Sequence, residues 1–315
     1  MSASSVTEPA AASAVPLSGT QYDISLGDYA ASIASVGASL RSLSYRGRDL
    51  VVPFDADEVR PAFRGATLAP WPNRVTSGEY SFGGIDHILA LTEPGRSNAL
   101  HGLAAWADFA AVTVEPGRVI LATTIEAQVG YPYRLLVEVL FELTADGLYS
   151  SVTATNTGRD AAPYGTGPHP YLVAGAGTVD DWSLTLPVES VLQVTEDRLI
   201  PIGLEPVDAT EFDFRAPRTI GDTFIDHAFT GLARTDGVAE VRVETADGSG
   251  VAMRWDAACP WVQVHTADQP IPAKSRRGLA VEPMTCPPDA FNSGTDLIVL
   301  EPGASHTAGW TIAAL

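Results

Sequence analysis

Apolar and polar residues alternate along much of this chain with a period of two. In LLVEVLFEL (Leu135 to Leu143), and again in AEVRVET (Ala239 to Thr245), every second side chain is apolar. That spacing lays one face of a strand on a core and leaves the other wet. Tyr22 to Leu26, Arg118 to Ile125, Tyr149 to Thr155, Trp182 to Leu186, Val238 to Glu244 and Val251 to Trp255 repeat the habit, broken by Gly, Pro, Asp and Asn. With 28 Gly and 23 Pro as punctuation, and few stretches of helical period, the pattern predicts an all-β fold. The expected architecture is a large antiparallel sandwich with few short helices. No fixed-period repeat and no linker divides the chain, so residues 1–18 read as a flexible tail and 19–315 as one domain.

Composition narrows the partners. The chain has 315 residues, 45% of them apolar and 18% charged, and a net charge of −19. Such a balance disfavours nucleic acid and anionic membranes, which bind through Lys and Arg. It points first to a neutral small molecule, and a sugar fits. Two cysteines, Cys259 and Cys286, are too few for a disulfide framework and lack zinc-site spacing. The first 18 residues have neither a basic start nor a continuous apolar core, and no run approaches the ~20 apolar residues of a membrane span. A reducing cytoplasm is the simplest expectation.

The chemistry concentrates in a few segments. In LAVEPMTCPPDAFNSG, Glu282 ends an apolar run ahead of a proline-rich loop, where a strand would present a general base. A base needs a proton donor nearby, and His101 (ALHGL) and His169 (GTGPHPYL) are available. Two glycines and two prolines around His169 specify a rigid backbone, which favours it as the general acid. In LAPWPNRV, Asn73 and Arg74 follow a stiff Trp-Pro pair, and the Arg fork can grip two hydroxyls or a carboxylate. For a single Arg out of context, a surface salt bridge is the more usual account. His101, before Gly102, can turn into a cleft or lie satisfied in a core, and Trp106 can wall a sugar face or pack inside. Asp226, in DTFIDHAF, can accept from sugar hydroxyls or cap a turn.

Together and in order, PNRV, LHGL, GPHPYL, DHAF, VEPMTCPPDAFNSG and LEPG resemble the aldose 1-epimerases, or galactose mutarotases, from about residue 20 onward. The resemblance implies a β-supersandwich that interconverts the α and β anomers of a free aldose without a cofactor. By motif position it makes Glu282 the base and His169 the acid. Arg74, His101, Asp226, Asn73 and Trp106 then become the substrate holders, with Trp71 and Phe291 as other candidate aromatic walls. The segments HGLAAW and GTGPHPYL depart from the commonest family pattern. They are similar to a bacterial mutarotase-like subgroup associated with less usual sugars, including sulfoquinovose.

Competing readings remain within reach of the residues. Glu282 and Asp226 could flank a glycosidic bond as in a hydrolase, but that leaves both histidines idle. A non-catalytic sugar-binding module would use the same holders. A hexose 6-phosphate or a sulfonated sugar would need extra cations, and Arg64, Arg96, Lys274, Arg276 and Arg277 are available. The expected assembly is a monomer or homodimer.

Overall fold

The period-two segments become strands within two residues of where alternation placed them. Gln21–Leu26, Arg118–Ile125, Leu135–Thr144, Gly147–Asn156, Ser183–Thr185, Ala239–Glu244 and Gly250–Trp255 are all extended. The computed structural model describes residues 14–315, so 1–13 of the expected tail lie outside it. Ser18, the last residue of that stretch, is buried and donates from its N–H (3.0 Å) and its hydroxyl (2.8 Å) to the Ala56 carbonyl.

The fold is all-β, and two antiparallel sheets dominate it. A nine-stranded sheet is centred on Leu135–Thr144, Gly147–Asn156, Ser305–Ala314 and Gly250–Trp255, paired in that order. Within Leu135–Thr144, buried and half-buried residues alternate without a break. A six-stranded sheet runs, in spatial order, Tyr171–Leu172, Leu279–Met284, Trp261–His265, Asp226–Thr230, Ser190–Val194 and Pro201–Pro206. The described residues include a single short α-helix, Ala290–Ser293.

One continuous apolar cluster takes Leu121, Val137, Val139 and Val152 from the first sheet and Phe229, Val262, Val264 and Val281 from the second. Each such buried side chain stabilises the fold by about 1.5–3 kcal/mol relative to exposure. Because side chains alternate across a strand, the core-facing Val262, Val264 and Val281 send Gln263, His265, Ala280 and Glu282 to the opposite face. That second face is apolar at one end, where Leu192, Ala228, Trp261 and Met284 cluster. Its middle is polar, and there a cleft opens.

Candidate active site

Strand register sets the floor of the cleft. Asp226 pairs with His265, His265 with Ala280 and Ala280 with Tyr171, forming one row across four strands. Gln263 pairs with Glu282 in the next row on the same face. The cavity above holds about 220 Å³, below the ~300–1,000 Å³ of drug-sized pockets and suited to one small polar ring. Phe63, Asn73, Arg74, His101, His169 and Asp268 complete its walls.

His169 hangs over this floor from the turn between Gly167–Pro168 and Tyr171–Leu172. Its N–H donates to the Ala66 carbonyl (3.1 Å), and its carbonyl accepts from the Gly65 N–H (2.8 Å). The glycines of GTGP are needed because other chain segments press close. A Cβ on Gly167 would lie 2.7 Å from the Pro283 carbonyl oxygen, and one on Gly165 would lie 2.4 Å from the Cys286 sulfur. The His169 segment is thus pressed onto the strand that carries Glu282. His169 Nε2 stands 3.4 Å from Glu282 Oε1, beyond the ~2.7–3.2 Å of a normal N–H···O hydrogen bond.

The proline-rich loop after Glu282 ties these pieces together. Thr285 N–H donates to the Thr166 carbonyl (3.0 Å), Thr166 N–H returns to the Thr285 hydroxyl (2.9 Å), and Asp289 N–H donates to the Arg74 carbonyl (2.8 Å).

Arg74 sits on Arg74–Thr76, paired with Asn98–Leu100. Its Nε and Nη2 grip both oxygens of Glu93 at 2.8 and 3.0 Å, and Nη1 donates to Asn73 Oδ1 at 3.2 Å. Three of the five guanidinium N–H groups are therefore committed, which leaves two for a ligand. Burial opposes the Arg74 charge, yet Glu93, Asp226 and Glu282 outweigh it and raise its pKa. Asn73 is buried, and its carbonyl accepts from the His101 N–H (2.8 Å).

Four cleft residues, Ala62, Phe63, Asn73 and His101, hold positive φ (46°, 55°, 55° and 62°) without being glycine. Such backbone costs energy, on the order of 1–3 kcal/mol each, and clusters where geometry matters more than stability.

The electrostatics follow from burial. Burial pushes the Glu282 carboxyl well above its ordinary range, Asp226 adds to the rise and Arg74 opposes it. Burial lowers His169 to about 3, helped by His265, and lowers His101 well below its ordinary value, helped by His169 and Arg74. Four enclosed polar atoms, Glu282 Oε2, Gln263 Oε1, His101 Nδ1 and His169 Nδ1, have no hydrogen-bond partner among the described residues. Buried polar atoms are nearly always paired, so four unpaired ones around one cleft are unusual.

Glu282, His169, His101, Arg74, Asn73 and Asp226 all border the same cleft. Trp106 does not, which corrects its assignment as a sugar wall. It is half-exposed behind Phe63 (ring centroids 5.8 Å apart), and the Arg60 guanidinium lies over it at 4.4 Å. Trp71 and Phe291 pack on each other at 5.5 Å in the core. The rings that do line the cleft are Phe63, 4.7 Å from the His101 ring, and Tyr171, stacked 5.1 Å from His169. Gln263, His265 and Glu93 also escaped the sequence reading. Gln263 donates to Asp226 Oδ1 at 2.8 Å, and the His265 Nδ1 lies 3.9 Å from the same oxygen. The alternation in WVQVH marks them, since two polar residues there fall opposite the core valines.

Residues 21–313 match the family model described as Aldose 1-epimerase. The chain is 37% identical over 290 residues to the Uncharacterized protein YihR of Escherichia coli, covering 92% of this chain and 91% of that protein. It is 27% identical over 305 residues to the galactose mutarotase of Bos taurus, covering 87% of each. The structure of the GalM/aldose epimerase homologue from C. elegans shares the fold, with a TM-score of 0.83 at 19% identity over 94% of this chain and 98% of that one.

Proposed function

The chain belongs to the aldose 1-epimerase family, and from that premise we propose that it interconverts the anomers of a free aldose by acid and base catalysis. One observation carries the reading: an acid and a base stand 3.4 Å apart over a cleft for one small ring. Anomer exchange acts on two oxygens bonded to one carbon, so its proton donor and acceptor must be near neighbours.

In ring opening, Glu282 takes the proton of the anomeric hydroxyl. The bond between the anomeric carbon and the ring oxygen breaks, and protonated His169 gives its proton to that oxygen. The open aldehyde turns about its first carbon–carbon bond, and closure on the other face returns both protons. Opening thus takes two separate proton transfers, from the anomeric hydroxyl to Glu282 and from His169 to the ring oxygen, and leaves the pair with the carboxyl protonated and the imidazole neutral. Burial favours the neutral form, with Glu282 protonated and His169 uncharged, which is the form left after opening. The charged form that begins the cycle draws support from Arg74, whose cation lowers the Glu282 pKa.

Asp226, Gln263, Asn73, His101 and the two free N–H groups of Arg74 supply donors and acceptors for ring hydroxyls. Phe63 and Tyr171 offer apolar surface to its C–H groups. A glycosidase reading would use Glu282 and Asp226 but leave His169 and His101 without a role.

Anomer-exchange NMR tests the assignment. Glu282→Gln and His169→Asn should each slow exchange by ~10²–10⁴-fold, the usual worth of a positioned proton transfer. Full activity in either variant sinks the mechanism. Sugar binding with no effect on exchange in the unaltered protein would leave a binding module instead.

A further inference from the structure

Among the described residues two arginines are buried, Arg60 and Arg74. Arg74 meets Glu93, whereas no described carboxylate lies within 4.0 Å of Arg60. The Arg60 Nη1 donates to the Val36 carbonyl (3.1 Å) and the Ser39 hydroxyl (2.6 Å), and its Nη2 donates to the Ala105 carbonyl. Its Nε is enclosed with no partner among the described residues. Burial lowers the Arg60 pKa only to about 10, so the side chain is a cation at neutral pH. A buried charge with no counter-ion costs stability, and folds accept such costs chiefly at functional sites.

Arg60 does not border the cleft, but it joins two segments that do. It directly precedes the turn Pro61–Phe63, in which Ala62 and Phe63 have positive φ. The Ala105 carbonyl that it grips belongs to the turn Ala104–Trp106, which follows His101, and its guanidinium covers the Trp106 ring at 4.4 Å. One side chain thus staples the Phe63 turn to the His101 loop. Phe63 fills the space between them, its ring centroid 5.8 Å from Trp106, 4.7 Å from His101 and 6.2 Å from His169. The turn is also fastened to the His169 segment. The Tyr171 hydroxyl donates to the Ala62 carbonyl (3.1 Å), and Ala66, which accepts from the His169 N–H, donates its own N–H to the Phe63 carbonyl (3.0 Å). A displacement of this turn therefore reaches both imidazoles.

We propose that Arg60 is a positioning residue for proton transfer: by stapling the Pro61–Phe63 turn to the Ala104–Trp106 turn it presses Phe63 against His101 and His169 and fixes both imidazoles relative to Glu282. The proposal rests on the anomer-exchange reading of the cleft and adds a residue that touches neither the sugar nor the reacting atoms. The planar fork is what the geometry uses. It bonds Val36, Ser39 and Ala105 while its flat face covers an indole, and a lysine ammonium cannot do both at once. The charge serves the same step. Burial does most to lower the pKa of the two imidazoles, and the Arg60 cation adds to the fall, so an imidazolium formed there gives up its proton readily.

Arg60→Lys, Arg60→Met and Trp106→Leu test it, the last because a half-exposed ring can be cut back with little risk to folding. At a temperature where each variant is folded, anomer-exchange NMR on glucose and galactose should show kcat lowered by ~10-fold or more in both Arg60 variants, with KM little changed, because misalignment costs turnover before it costs binding. Trp106→Leu should fall in the same direction by a smaller factor. The imidazole proton resonances of His101 and His169, set in part by the Phe63 ring current, should move in all three. Arg60→Lys keeps the charge, so movement there reports geometry. Full kcat in Arg60→Lys, a raised KM with kcat intact, or resonances unmoved in Trp106→Leu would each overturn the proposal. So would a lowered Tm in the Arg60 variants with kcat and resonances unchanged, which is what a merely structural arginine would give. Absence of exchange by the unaltered protein would remove the epimerase reading, and the imidazole resonances alone would then decide whether Arg60 holds the two rings.

Discussion

The nine-stranded and six-stranded sheets obey the same alternation rule and use it differently. In Leu135–Thr144 of the larger sheet, Glu138 and Glu142 fall on the half-buried face while Val137, Val139 and Phe141 fill the core. In Leu279–Met284 of the smaller sheet all six residues are buried, a carboxylate among them. The larger sheet gives its second face to water, whereas the smaller covers its second face with the loops that carry His169, Arg74, Asn73 and His101. Of the two sheets, only the smaller buries a charged side chain, Glu282, whereas the buried polar residues of the larger are the uncharged Ser150, Ser151 and Asn156. Natural folds concentrate their local violations at functional sites in this way.

The sharpest way to break the comparison is to damage the larger sheet. Leu121→Ala, fully buried in Arg118–Ile125, should cost about 2–5 kcal/mol of unfolding free energy while the exchange rate per folded molecule stays unchanged. Denaturant melts with NMR exchange on the same sample would show it. A lost rate with intact stability would mean that the two sheets do not divide the labour.

Next in size is Gly167→Ala, which forces apart the His169 segment and the Pro283 carbonyl. A displacement on the order of 1 Å can cost ~10²-fold in rate, so kcat should fall by that order with a smaller change in Tm. An unaltered kcat would show that the close packing does not aim His169.

The smallest effects are pH-linked and should have opposite signs. Glu282 has a raised pKa in the fold, so its contribution to stability is complete below the ordinary carboxylate value of 4.5 and is lost as pH rises through the folded value. Glu282→Gln should therefore gain stability over the unaltered protein as pH increases, and the two should agree below 4.5. His169 is lowered from 6.5 to about 3, so its contribution is complete above 6.5 and is lost as pH falls toward 3. His169→Gln should lose less stability across that window. Melting curves at several pH values check both, and parallel curves for all three proteins would remove the linkage.

Much of this division was legible in the sequence, for local reasons. Alternation located strands such as Arg118–Ile125 because period two is a property of the backbone itself. The rigid dipeptides and glycines around His169, Asn73 and His101 flagged unusual backbone, and all three residues border the cleft. Trp106 was misplaced because a ring near His101 in sequence can stand behind another ring in space, and Phe63 occupies the nearer position. Glu93 escaped because its pairing with Arg74 spans 19 residues and depends on how two loops fold together. Gln263 and His265 carried a signal in WVQVH, but only the location of the core shows which face of that strand is which.

By itself the sequence determined the period-two strands, the acid and base types at hand, and the stiff turns that carry them, because each is written in residues close along the chain. Tertiary structure alone decided that His169 and Glu282 meet at 3.4 Å, that Glu93 takes two of the five Arg74 N–H groups, and that Arg64, Lys274 and Arg277 border one space beyond Tyr171. Those are distances between residues up to 213 apart in the chain, as between Arg277 and Arg64, and strand register together with loop packing sets them.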